Sequence, residues 1–208
     1  MLSNVPNQSQ IILASASPRR CELLQQIGVQ FRVIVSNSEE TPALNEAAED
    51  YVRRVALAKA RAVWQRLLPH EQWPVLGADT EVVLDGAILG KPADRNAGLA
   101  MLERLSGCTH EVLSAVALVY GELEWLRVSR SIVSFRNTTP HERAAYWASG
   151  EPVDKAGGYA VQGLGAMFIN RLEGSYSGVM GLPLFETAEL LREVGIDVLM
   201  SEQNTVKT

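Results

Sequence analysis

The chain has 208 residues, 47% of them hydrophobic and 21% charged, enough to bury a substantial core as one domain or two tightly joined lobes. Its net charge of −5 leaves no global positive field for collecting nucleic acid, so a polyphosphate ligand needs locally gathered cations or a divalent metal. No apolar run is long enough to cross a bilayer and no basic, apolar leader opens the sequence, so a cytoplasmic protein is expected.

In chain order, residues 1–10 are polar and unpatterned and read as a tail. Residues 11–14 are an apolar run suited to a buried strand. Ser17 as N-cap and Pro18 at the first helical position then open a helix with Leu23, Leu24 and Ile27 on one stripe, stopped by Gly28. Residues 31–35 alternate like a strand and lead into Glu39-Glu40 before Pro42. A long helix is expected over 47–67, with Val52, Val55, Ala56 and Val63 along one face and Pro69 beyond it.

Residues 75–84 read as a strand, and Asp85-Gly86 turns it back into 87–89. Asp94 caps a helix to about Leu105, and two long strands over 110–120 and 125–135 join around Gly121-Glu122. Thr139-Pro140-His141-Glu142 is a capping box opening a helix to about Ala148. A glycine-rich stretch over 155–165, a strand over 167–172 and a last helix over 184–194 complete the pattern, before a second tail from about 197 to 208. Strands alternating with helices around one long hairpin predict an α/β fold with a mixed, twisted sheet.

Ser15-Ala16-Ser17-Pro18-Arg19-Arg20 is the most informative segment. A helix start offers unpaired N–H groups and partial positive charge, which suit an anion. Acidic side chains usually fill that turn, yet here two arginines sit against the macrodipole, at about 0.3–1 kcal/mol each. A polyphosphate opposite them would offset that cost; solvation, or pairing with Glu39 or Glu40, would equally account for them.

Asp79 lies late in an apolar strand, where charge is expensive without partners or work. It could bind Mg²⁺ or take a proton from an attacking water, or it could simply bond a neighbouring turn. Glu39-Glu40 offer oxygen ligands for a hard cation, or a solvated loop. Lys59, Lys91 and Lys155, taken singly, each read as surface residues. The glycines around Gln162 let backbone come close to a ligand and match neither a P-loop nor a dinucleotide fingerprint. Trp64, Trp73, Trp125 and Trp147 are scattered and read as packing. Cys21 and Cys108 lack metal or disulfide spacing and read as reduced thiols; His110 shares a strand with Cys108 without being placed to exchange a proton.

In order and at matching spacing over about 11–195, LASxSPRR, Glu40, LGADT, GKP, LSG, EPVDKAGGYAVQGLG and GSYSGVMGLP resemble the Maf nucleotide pyrophosphatases. The resemblance implies a single Maf-like domain of two lobes around a central cleft, similar to the inosine triphosphate pyrophosphatases. It implies a cytoplasmic, homodimeric hydrolase that releases pyrophosphate from nucleoside triphosphates with a divalent cation, Mg²⁺ or Mn²⁺. By the same resemblance Asp79 is the general base and a metal ligand with Glu40. Ser15, Arg19, Arg20, Lys59, Lys91 and Lys155 then hold phosphates. Arg19, Thr80 and Gln162 match the branch acting on dTTP and UTP, whereas the branch acting on 7-methyl-GTP carries tryptophan, glutamine and glutamate there. Glu81, which varies among relatives, is expected to leave the chemistry untouched. A rival reading, a regulator of cell division that acts by binding nucleic acid, is disfavoured by the negative charge and the missing basic stripe.

Overall fold

Apolar runs and alternation fall where the strands form. The structure, a computed structural model, describes residues 11–38 and 40–199; the tail expected at 1–10, the second tail from 200 onward, and the candidate Glu39 lie outside the described residues. β1 (Ile11–Leu13) leads through α1 (Pro18–Gln26) to β2 (Phe31–Val33). β2 is shorter than expected because its parallel partner ends at Leu13, opposite Val33. α2 (Ala48–Trp64) stops short of Leu67, where the chain tightens through Arg66 N–H to Val63 and Leu67 N–H to Trp64 carbonyl bonds.

β3 (Val75–Leu84) turns at Asp85-Gly86, both at positive φ, into β4 (Ala87–Ile88). α3 (Arg95–Leu105) has the expected Asp94 cap, and β5 (Thr109–Tyr120) and β6 (Leu123–Phe135) form the long hairpin. Thr139 and Glu142 make the reciprocal capping box of α4 (Pro140–Ala148). β7 (Ile169–Glu173) starts later than expected because 164–168 coil into a 3₁₀ turn. The helix α5 (Tyr176–Met180) was not legible in the pattern; α6 (Leu184–Glu193) was.

The sheet order is β2-β1-β3-β5-β6-β7, with β4 on β3; β1 runs parallel to β2 and β3, and the other pairings are antiparallel. This is the mixed α/β architecture the sequence predicts. β1 pairs only with Val75 and Leu76 of β3, and β4 only with Val83 and Leu84. Among the described residues, the β3 edge from Gly77 to Val82 therefore carries no strand. A crevice opens there, beyond the carboxyl end of a parallel strand, where ligands of open α/β sheets bind.

β3 and β5 also run through two different cores. Leu76, Ala78, Val116 and Leu118 pack with Leu23 and Leu24 of α1 and Leu190 and Leu191 of α6. Further along the same strands, Val82, Leu84 and Val112 pack with Leu102, Phe135, Tyr146 and Phe168. Residues 79–81 thus sit where one core gives way to the other. On the opposite face, Val52, Val55 and Ala56 of α2 cover Leu113, Ala115 and Ala117. A Cβ on Gly77 would stand 2.3 Å from the Ala56 carbonyl oxygen, so glycine allows α2 its close approach to β3. Val198, inside the stretch expected as a tail, packs against the first core. Trp64, Trp73 and Trp125 pack on the cores, and Trp147 covers Gly98, as expected of structural tryptophans.

In the second core His110 is 2% exposed, its Nε2 2.8 Å from the Tyr159 hydroxyl and its Nδ1 without a partner among the described residues. Burial lowers its pKa from 6.5 to about 4. A histidine depressed on folding contributes stability above its unfolded pKa and loses it as pH falls from 6.5 towards 4. Urea unfolding should therefore give about 2 kcal/mol less stability at pH 5 than at pH 7 from this group. A His110→Gln protein with an unchanged pH slope would show that another group sets it.

Candidate active site

The cleft is a cavity of about 790 Å³, into which β3, α1, α2 and the loops after β4 and α4 all present side chains. Asp79 and Glu81 alternate with Thr80 on β3, so the two acids share the face towards α2 and Thr80 takes the other. Asp79 is 5% exposed. Its Oδ1 accepts a 2.8 Å bond from Lys59 Nζ, which also lies 3.1 Å from Glu40. Lys59 is buried, contrary to the surface reading. It lies four residues from both Val55 and Val63, on the packed stripe of α2, and that spacing could have revealed it. The Tyr51 hydroxyl donates to the Glu40 carbonyl at 2.6 Å and holds that loop against α2.

Glu81 is the residue whose role the sequence reading missed. Its Oε2 and Asp79 Oδ2 are buried without a hydrogen-bond partner among the described residues. Burial, then the neighbouring Asp79, pushes the Glu81 carboxyl up to about 8. The signal was available: two residues along a strand returns to the same face.

Opposite lies the start of α1. Ser17 occupies the N-cap position but its side chain caps nothing; Ser15 Oγ instead accepts from Ser17 N–H at 3.2 Å and from Arg20 Nη1 at 2.9 Å. The helix therefore opens without an acidic or hydroxyl cap over its first turn. Neither arginine is left to solvent: Arg19 Nε donates to the Met180 carbonyl at 3.2 Å and Arg20 Nε to that of Gly181 at 2.8 Å. Burial lowers the pKa of Arg20, with Asp79 opposing that effect, and burial likewise lowers Arg19. Both remain cations at neutral pH. Thr80 Oγ1 sits 2.9 Å from Ser114 Oγ, which donates to the Gly178 carbonyl, so α5 ties the arginine turn to Thr80.

The third wall carries Lys91, Lys155 and Gln162. A 2.8 Å bond from Gly157 N–H to the Gly90 carbonyl joins the two lysine loops. Lys155 is half-buried, and burial, then Arg19, lowers its pKa. Gln162 is exposed on the cavity rim. Ser15, Arg19, Arg20, Glu40, Lys59, Asp79, Thr80, Lys91, Lys155 and Gln162, all singled out in the sequence, thus line one cleft. Cys21, Cys108 and His110 do not.

The donors around Asp79 are hard oxygens, two of them unpartnered, which fits Mg²⁺ or Mn²⁺. Among the described residues no three acids, histidines or cysteines converge as a closed cage.

The arrangement invites comparison with known proteins. A family model described as Maf-like protein matches residues 10–194. The dTTP/UTP pyrophosphatase of Methylococcus capsulatus is 57% identical over 186 residues, covering 89% of this chain and 91% of that one. Those of Alkalilimnicola ehrlichii and Hahella chejuensis are 54% and 47% identical, covering 90% and 95% of this chain and 94% and 98% of theirs. Among solved structures, the Staphylococcus aureus Ham1 protein aligns with a TM-score of 0.41 at 17% identity, over 60% of this chain and 70% of that chain. No helix among the described residues is long and apolar enough to cross a membrane.

Proposed function

Because this chain belongs to the Maf family, we propose that its cleft binds dTTP or UTP and hydrolyses it to the monophosphate and pyrophosphate. The observation that carries this is the pairing of a buried carboxylate, Asp79, with a facing helix start that presents Arg19 and Arg20 across one cavity. The triphosphate lies over the amides and arginines of that turn, with Lys91 and Lys155 along its length. Asp79, oriented by Lys59, takes a proton from water through its unpartnered Oδ2 as the water attacks the α-phosphorus. The bond to the bridging oxygen breaks and pyrophosphate leaves against the arginines and lysines. A divalent cation, Mg²⁺ or Mn²⁺, held by Asp79 and Glu40 with Glu81 beside them, would supply further positive charge against the phosphate oxygens. We place the enzyme in the cytoplasm, as a homodimer, with no nucleic-acid partner.

Gln162 reads the base. The uracil or thymine imide offers two acceptors flanking one donor, and an amide can meet two of the three. Gln162→Glu removes the donor, and kcat/KM for dTTP and UTP is expected to fall roughly 10–100-fold, read by steady-state kinetics. Unchanged selectivity in that variant would place base recognition elsewhere.

A screen of pyrophosphate release over common and modified nucleoside triphosphates, with Mg²⁺ or Mn²⁺, tests the proposal. The highest kcat/KM is expected for dTTP and UTP, with loss on chelation and recovery on adding metal. A preference for purine triphosphates, or release of orthophosphate in place of pyrophosphate, would overturn it.

A further inference from the structure

The segment bearing Gln162 has little of its own to hold it: one long turn bond, from Gly163 N–H to the Ala160 carbonyl at 3.4 Å, spans Gln162. The segment runs from the 3₁₀ turn at Ala156–Gly158 to the one at Leu164–Phe168, and its other fixed points come from elsewhere. Tyr146, on the last turn of α4, is 4% exposed. Its hydroxyl accepts from Ala160 N–H at 3.1 Å and donates to Glu151 Oε1 at 2.7 Å. Glu151 Oε1 also accepts from Gly165 N–H at 2.9 Å, and Oε2 accepts from Leu164 N–H at 2.8 Å. One carboxylate and one phenol thus grip the backbone on both sides of Gln162, two residues before it and two and three after.

The two glycines flanking Leu164 are shaped to this grip. A Cβ on Gly163 would stand 2.2 Å from Glu151 Oε2, and one on Gly165 would stand 2.7 Å from both the Tyr146 hydroxyl and the Ala160 carbonyl oxygen. A side chain at Gly163 would have to displace the Glu151 carboxylate, and one at Gly165 would meet the Ala160 backbone. Burial alone would raise the Glu151 carboxyl, but the bonds from Gly165, Tyr146 and Leu164 outweigh it and hold it below its ordinary value. A carboxylate in this position accepts from three donors at once, which a neutral amide cannot do, since its NH₂ would face an N–H.

We infer that Glu151 and Tyr146 form a clamp that sets base selectivity by fixing the Gln162 loop at the rim of the nucleotide cleft. Neither need touch the substrate; both are positioning residues. This inference rests on the reading of Gln162 as the base-contacting side chain.

The test compares Glu151→Gln and Tyr146→Phe with the wild type. Steady-state kinetics with dTTP, UTP, dGTP and dATP read selectivity, and hydrogen exchange reads the Leu164 and Gly165 amides without nucleotide. In Glu151→Gln, KM for the pyrimidine nucleotides is expected to rise about 10-fold or more with kcat little changed. The pyrimidine-to-purine ratio of kcat/KM should collapse, and both amides should exchange faster. Tyr146→Phe, which keeps the ring, should show the same signature to a smaller degree, and carries the test if Glu151→Gln does not fold. A uniform loss over all four nucleotides, or wild-type selectivity in a folded variant, would overturn the clamp alone. A wild type without base preference would overturn the reading of Gln162, and the clamp with it.

Discussion

Asp79→Asn is expected to lower turnover by about 10²–10⁴-fold while nucleotide binding persists. The amide keeps the shape of the side chain and an oxygen for Lys59 Nζ, 2.8 Å away in the native protein. What it loses is the basic Oδ2, which no donor occupies. Single-turnover pyrophosphate release, set beside binding of a non-hydrolysable triphosphate, separates the two effects. Turnover near that of the wild type would remove Asp79 from the proton transfer. A parallel loss of binding would instead assign it mainly to holding the cation.

Lys59→Met is expected to destabilise the fold by about 3–5 kcal/mol in urea unfolding, the cost of breaking a buried ion pair by removing one partner. Lys59 and Asp79 side chains are each 7% exposed, so the stranded carboxylate gains little from water. It is also left beside Glu81 and Glu40 with one fewer cation among them. The double variant Lys59→Met with Asp79→Asn should recover part of the loss, because the stranded charge is then gone. A Lys59→Met protein within about 0.5 kcal/mol of the wild type would show that Arg20 already balances the acids, and that Lys59 is there for catalysis alone.

Much of this architecture could be read from the chain because the signals are local. The capping box at Thr139, the turn at Asp85-Gly86 and the two long strands joined around Gly121-Glu122 each depend on residues within a few positions of one another. Asp79 is conspicuous because a charge in an apolar strand demands an explanation, although it stands in the middle of β3, opposite Ala115, and not near its end as expected. Lys59, weighed singly, reads as a surface residue, although its spacing on the α2 stripe points inward. Glu81 has no motif to mark it, although strand alternation places it beside Asp79. Other features depend on contacts distant in sequence. The carbonyls that hold Arg19 and Arg20 come from 161 residues away, from the last residue of a five-residue helix that leaves no periodic trace and from the glycine after it. The grip of Glu151 on Leu164 and Gly165 looks, in sequence, like an acid in a loop. Ser17 shows the reverse case: the local signal for a cap is present, but its side chain caps nothing and the neighbouring Ser15 takes the bonds.

The course of β3 and β5 through both cores bears on how the crevice can change shape. Each of these strands lends side chains to the packing on either side of residues 79–81. A swing of one half against the other would therefore have to bend β3 and β5 themselves. The arginine turn held by Met180 and Gly181 and the joined lysine loops lie outside the β3–β5 ladder, so a shift of either would leave that ladder intact. The same continuity links the two halves mechanically, so loss of one strips β3 and β5 of partners in the other, and heating should melt both in a single cooperative step.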